Sequence, residues 1–155
     1  MPIIEPLNFK KLLIKDKRVL GLDLGSKTIG LAISDSNLVV SSPLITIHRK
    51  KFTIDAEILI TLINERMVGG LVLGLPVNMD GSEGPRAQST RQFAQNLIEK
   101  IDIPIVFWDE RLSSAEVERI LINEIDMSRR RREQVIDKMA AGVILQGFLD
   151  YLNHS

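Results

Sequence analysis

The chain has 155 residues, 45% of them apolar and 26% charged, which fits one globular domain with its own core and excludes a collagen-like, coiled-coil or disordered chain. Lys and Arg total 20 and Asp and Glu total 20, so the formal net charge is zero and any basic surface for nucleic acid has to be local. The absence of cysteine excludes a disulfide framework, a thiolate zinc site and a Cys nucleophile, and no apolar run approaches the ~20 residues of a spanning helix.

Residues 1–16 read as a flexible, loosely attached lead-in. They lack the apolar core and small-residue cleavage site of a signal peptide, so the expected location is the cytoplasm, with no membrane contact and a single domain over 17–155. Arg18–Leu24 (RVLGLDL) predicts a buried strand, Gly25–Thr28 a turn, and Ile29–Asp35 a second strand, giving a hairpin. Val39–Ile47 continues the meander as a third strand, interrupted by Pro43. Ile54, Ile58, Leu62 and Ile63 follow one helix face within Thr53–Met67. Gly70–Pro76 is a continuous apolar run, the pattern of a central strand buried on both faces. Turn residues fill Asn78–Pro85. A helix is expected over Arg86–Ile101 and a fifth strand over Pro104–Glu110. Ser113-Ser114-Ala115-Glu116 has the form of a capping box and opens a helix carrying Val117, Ile120 and Leu121. The charged stretch Ser128–Glu133 breaks the pattern before a final helix over Gln134–Leu152. The order β-β-β-α-β-α-β-α-α predicts an α/β fold, a five-stranded mixed sheet with helices on both faces.

Three acids sit where acids are awkward. Asp23 lies between Leu22 and Leu24 in an apolar strand, where a buried carboxylate needs a partner or a metal; alternatively it hydrogen-bonds the following turn. Asp109-Glu110 closes the fifth strand, at the sheet edge where α/β proteins place ligands; alternatively it is a solvated end paired with Arg111. Asp137 shares a helix face with Ala141, Ile144 and Phe148; alternatively it is a border residue near the first turn, stabilised by the helix dipole. Converging, three carboxylates would demand a cation. Oxygen ligands select Mg²⁺ or Mn²⁺, and such a cluster suits phosphodiester hydrolysis. Neither His48 nor His154 is well placed for catalysis.

The stretches LDLGSKTIGLAISD (Leu22–Asp35), GLPVNMDGSEG (Gly74–Gly84), DERLSS (Asp109–Ser114) and VIDKMAAGVILQGFLD (Val135–Asp150) stand in one order. In that order they resemble the YqgF/RuvX family of the ribonuclease H-like superfamily, from Arg18 to Leu152. Members of that family are described as Holliday junction resolvases or as nucleases maturing the small-subunit ribosomal RNA precursor. The resemblance implies a ribonuclease H-like fold and a metal-dependent nuclease whose catalytic and metal-binding acids are Asp23, Glu110 and Asp137. It is the resemblance that selects Glu110 over Asp109. The family often has Thr where this chain has Ser114. The implied partner is nucleic acid. The reading favours processing of the 5′ end of the 16S ribosomal RNA precursor, with branched DNA as the alternative and a monomer or weak homodimer as the acting species.

Lys27 and Arg111 flank the motif acids, and Arg129, Arg130, Arg131 and Arg132 precede the Asp137 helix. All six are expected to grip phosphates, the arginine run from an exposed, mobile loop; a solvated linker is the alternative. Trp108 is expected to pack in the core rather than stack on a base. Two rivals stand beside the nuclease. The Asp-x-Gly-Ser turn also resembles the phosphate loop of sugar kinases and chaperone ATPases, but those use two such domains and an adenosine motif that this chain lacks. A non-catalytic nucleic-acid-binding module would keep the fold without needing divalent metal.

Overall fold

The alternating apolar pattern on either side of the Gly25–Thr28 turn folds into the hairpin around which the sheet is built. The computed structural model describes residues 3–4, 6–13, 16–109 and 129–154. A short helix, α1 (Pro6–Leu12), precedes β1 (Arg18–Leu24), which pairs antiparallel with β2 (Thr28–Ser34). The Gly25 N–H donates to the Thr28 carbonyl at 2.8 Å and closes the turn. On its other side β2 pairs antiparallel with β3 (Ser41–His48), the edge strand. Pro43 stands opposite Ala32, at the register shift that follows the Leu31–Ile45 pair, a position that an edge strand tolerates because no further ladder bond is needed.

After α2 (Phe52–Glu65), β4 (Val68–Leu75) enters beside β1 in parallel; after α3 (Pro85–Ile98), β5 (Ile105–Asp109) pairs in parallel with β4. The sheet order is β3-β2-β1-β4-β5. Every residue of β4 is buried, as its unbroken apolar run predicts for a central strand covered on both faces. The last helix, α4, spans Arg129–Asn153.

The pleat divides the core in two. Leu20, Leu22, Leu71, Leu73 and Ile105 face α2 and α3, where Leu59, Ile63, Phe93 and Leu97 complete the first layer. Val19, Ala32, Val72 and Val106 face the opposite way and pack under Ala141, Ile144, Leu145 and Phe148 of α4. Trp108 joins this second layer, its ring 5.7 Å from that of Phe148 and 5.5 Å from that of Tyr151, so it packs as expected. Among the described residues no helix is long and apolar enough to cross a membrane.

Three expectations are corrected. The described residues of the lead-in pack on the body: Ile3 bridges Ile105, and Phe9 of α1 is fully buried, edge-on to Phe148 at 5.2 Å. In α2 the buried face carries Asp55, Ala56, Leu59 and Ile63, while Ile54 and Ile58 are exposed. The start of the helix sets this rotation: Phe52 stacks edge-on against Phe93 at 5.3 Å, and the Asp55 carboxylate turns inward to accept the Lys50 N–H at 3.1 and 3.3 Å. Finally, Arg129–Arg132 form the first turn of α4 rather than a loop. Arginine is a good helix former, and a helix whose later turns are packed on the sheet extends readily into it. The helix expected from Ser113 lies outside the described residues.

Because Phe9 fills the space between α4 and the edge of β4, Phe9→Ala is expected to destabilise the protein by ~3 kcal/mol, the usual cost of emptying a fully buried aromatic site. Urea denaturation measures it; a loss under ~1 kcal/mol would make α1 an accessory.

Candidate metal centre

Alternation along β1 sends Val19, Gly21 and Asp23 to the α4 face. Asp23 is partly buried and stands in register with Gly30 of β2. Residues directly opposed in an antiparallel pair share a face. A methyl group at Gly30 would lie 2.0 Å from the Asp137 carbonyl oxygen and 2.3 Å from its carbon. The backbone of α4 at Asp137 therefore rests on β2 where the side chain is missing, beside the cross-strand position occupied by Asp23. Thr28, two residues before Gly30 on the same face, donates its hydroxyl to Asp137 Oδ2 at 2.5 Å.

Asp23 of β1 and Asp137 of α4 thus lie on the same face of the sheet, each next to Gly30. Glu110 and Arg111 lie outside the described residues. Asp109, which ends β5, is exposed; alternation places it on the α3 side with Phe107, over whose ring the Arg91 guanidinium sits at 4.9 Å. Asp109 is therefore on the face opposite Asp23 and Asp137. Among the described residues no group of three metal-ligating side chains is present. The donors that are present fit a hard divalent cation: both are carboxylates, and an ionised carboxylate accepts through two oxygens at several lone-pair sites. A hydroxyl donating to Oδ2 of Asp137 fixes that group's rotamer without exhausting its capacity.

Lys27 is exposed at the tip of the hairpin, and its carbonyl accepts the Arg49 N–H at 2.8 Å. Arg129–Arg132 stand just upstream of Asp137 on the same helix. Thr28 and Gly30 went unread as site residues in the sequence. Their signal is the run of small side chains Thr28, Gly30, Ala32 at every second position, which marks a strand face approached closely by another backbone.

The loop after β4 is tied by its own residues. Asn78 N–H donates to the Ser82 carbonyl at 2.8 Å and Gly81 N–H to the Asn78 carbonyl at 2.8 Å. Gly81 takes φ 91°, a left-handed conformation that glycine adopts without strain. Glu83 makes a bidentate pair with Arg91 at 2.6 and 2.8 Å, which holds its carboxyl below the usual range. The Ser82 hydroxyl and N–H both donate to Asp80 Oδ1, at 2.6 and 2.9 Å, and lower that carboxyl as well.

The RuvX family model, described as Holliday junction resolvase, matches residues 17–151. A relative from Paramagnetospirillum magneticum with the provisional name pre-16S rRNA nuclease is 58% identical over 150 residues, covering 97% of this chain and 96% of its own. One from Rhodospirillum rubrum with the same provisional name is 54% identical over 153 residues, covering 99% and 95%. Among solved structures, Thermus thermophilus RuvC in complex with a Holliday junction substrate aligns with a TM-score of 0.54 at 10% identity, over 88% of this chain and 96% of that one. The Fowlpox virus resolvase with Holliday junction DNA gives 0.54 at 8% identity, over 87% and 98%. At such identities the likeness is one of fold, and the fold is ribonuclease H-like.

Two outcomes follow from this geometry. Gly30→Ala is expected to push α4 off β2 and cost ~3 kcal/mol or more, since the obstacle is backbone and overpacking of a filled site is already worth 1–3; a cost under ~1 kcal/mol in urea would refute the close seating of Asp137. The lowered Asp80 carboxyl means that its turn is held above the ordinary carboxylate range and released as pH falls through the lowered value. The Ser82 amide should therefore titrate, by NMR, with a midpoint below that of aspartate in a peptide spanning the loop. A midpoint at or above the peptide's would show that the turn does not hold.

Proposed function

The chain belongs to the RuvX family, and from that premise we propose that it is a divalent-metal-dependent nuclease that hydrolyses phosphodiester bonds in the precursor of 16S ribosomal RNA. The observation that supports it most is the seating of the Asp137 backbone on Gly30, the cross-strand partner of Asp23. Asp23 and Asp137 would hold the ion, with Glu110 as the third ligand, assigned by the family motif. Mg²⁺ or Mn²⁺ suits the oxygen donors; bound there, the ion supplies Lewis-acid polarisation of the phosphate and a more acidic water.

The chain's own contribution is placement. Strand β1 fixes Asp23 in a sheet whose register cannot slip without turning Leu22 and Leu24 out of the core. Thr28 orients the Asp137 carboxylate through its hydroxyl. Partial burial of both acids lowers the local dielectric, which strengthens their pull on a cation and on a phosphate carried with it. Lys27 at the hairpin tip, Arg111, and Arg129–Arg132 upstream of Asp137 are assigned to the substrate's phosphates. The same reading puts the protein in the cytoplasm, acting as a monomer or weak homodimer, with residues 17–155 carrying the sheet and the acids and α1 packed against them through Phe9. Branched DNA is the second reading, supported by the family's description and by the junction-bound structures that share the fold.

Cleavage assays on a precursor 16S rRNA fragment and on a four-way DNA junction, with Mg²⁺ or Mn²⁺, test both. The precursor should be cut, and Asp23→Asn or Asp137→Asn should lower the rate by ~10³-fold, since loss of the ion removes several kcal/mol of transition-state stabilisation. Their melting temperatures should not fall, because clustered anions repel in the absence of the ion. Cleavage in chelator, or full activity of either variant, would contradict the assignment; cutting of the junction alone would move it to DNA.

A further inference from the structure

On the far side of the same hairpin, away from the acids, lies a cavity of about 210 Å³ between the Gly25–Ser26 turn and the first two turns of α3. We propose that this cavity binds a backbone phosphate of the substrate strand, gripped by Arg49 and Arg86. The inference rests on the reading that the chain handles nucleic acid, and it assigns a contact outside the metal centre.

Both guanidiniums are held in place by main-chain carbonyls of the turn. Arg49 Nη1 donates to the Gly25 carbonyl at 2.6 Å, and Arg86 Nη2 donates to the Leu24 carbonyl at 3.2 Å. Arg49 also lies 5.8 Å over the Phe93 ring, which lines the cavity beneath it. A guanidinium carries five N–H donors, so one bond to a carbonyl positions each group and leaves others for a ligand. Arg91, on the same helix as Arg86, is neutralised by Glu83. Among the described residues no carboxylate pairs with Arg49 or Arg86, so two cations line one cavity. Their mutual repulsion falls when an anion enters, and the planar fork of arginine matches phosphate oxygens. Ser26 and Ser89 add hydroxyls at the rim. The Thr90 hydroxyl is already committed to the Arg86 carbonyl at 2.9 Å.

Position supports a strand phosphate over a separate metabolite. Asp23 and Leu24 are consecutive, and the pleat sends Asp23 to the α4 face and Leu24 to the α3 face. A nucleic-acid strand crossing the open end of the hairpin would meet the acids on one side and the arginines on the other. The cavity would then hold a second phosphate of the strand being cut, on the opposite face of the sheet from the acids.

The test measures binding of a labelled single-stranded RNA oligonucleotide in chelator, as a function of salt, for the unaltered protein and for Arg49→Gln/Arg86→Gln. The double variant should bind more weakly, with a log K against log salt slope shallower by about 0.7, the contribution of one phosphate on a single strand. Oligonucleotides carrying one neutral methylphosphonate at successive positions should show one position that weakens the unaltered protein and leaves the double variant indifferent. Arg49→Lys/Arg86→Lys should restore the slope. If the double variant does not fold, Arg86→Gln alone carries the comparison, its side chain being exposed and its carbonyl bond long. An unchanged slope in a folded variant, methylphosphonate effects equal in both proteins, or no RNA binding at all overturns the proposal. So does inorganic phosphate shifting the Arg49 and Arg86 side-chain NMR signals while RNA binding ignores both residues, which would make the cavity a free-phosphate site. RNA bound through the cavity but never cut would leave this contact standing and overturn the nuclease reading instead.

Discussion

At Gly30 the sheet lacks a side chain, and the carbonyl of Asp137 occupies the space where one would stand. A second close approach, between Gly21 and the Cβ of Leu145, would leave a methyl group only 2.8 Å of room. These two points bring α4 down on β2 and β1 in turn, so the helix crosses the hairpin at backbone contact distance. Interiors packed this tightly transmit small displacements rather than absorbing them. The position of Asp137 relative to Asp23 is therefore fixed by two missing side chains, and Thr28 adds a hydroxyl that aims the carboxylate.

The strands were legible because burial imposes a simple period on them. Val19, Gly21 and Asp23 alternate with Leu20, Leu22 and Leu24, and the unbroken apolar run of β4 announced a strand covered on both faces. Asp23 and Asp137 stand out as candidates because each is a charge in an apolar pattern, and the helix face through Ala141, Ile144 and Phe148 is the buried one. What the sequence hid depends on contacts between distant segments. Thr28 read as a turn residue because its partner lies 109 positions away. Ile54 and Ile58 advertised the wrong face of α2, since the Phe52–Phe93 contact and the inward Asp55 carboxylate set the rotation. Phe9 looked like part of a tail because its partner, Phe148, belongs to the last helix. The arginine run resembles a breaker by its charge, whereas its residues are good helix formers continuing a helix anchored elsewhere.

A chain with no net charge has to place its basic groups where a polyanion passes. In the proposed contact the carbonyls of Gly25 and Leu24 orient Arg49 and Arg86 on the α3 face, where among the described residues no acid cancels them. On the α4 face the same hairpin carries Asp23 and Thr28. One local element thereby positions groups for opposite charges on opposite sides of the sheet, and the sheet keeps them from neutralising each other.

Whether Asp23 and Asp137 share an ion decides the proposed function. A crystal of the protein soaked in Mn²⁺ and measured at the manganese absorption edge locates that ion independently of activity. An anomalous peak is expected at direct ligation distance, on the order of 2 Å, from a carboxylate oxygen of each of the two residues, with Glu110 as a further ligand. A peak that touches only one of Asp23 and Asp137, or that lies elsewhere while both are well ordered, would contradict it.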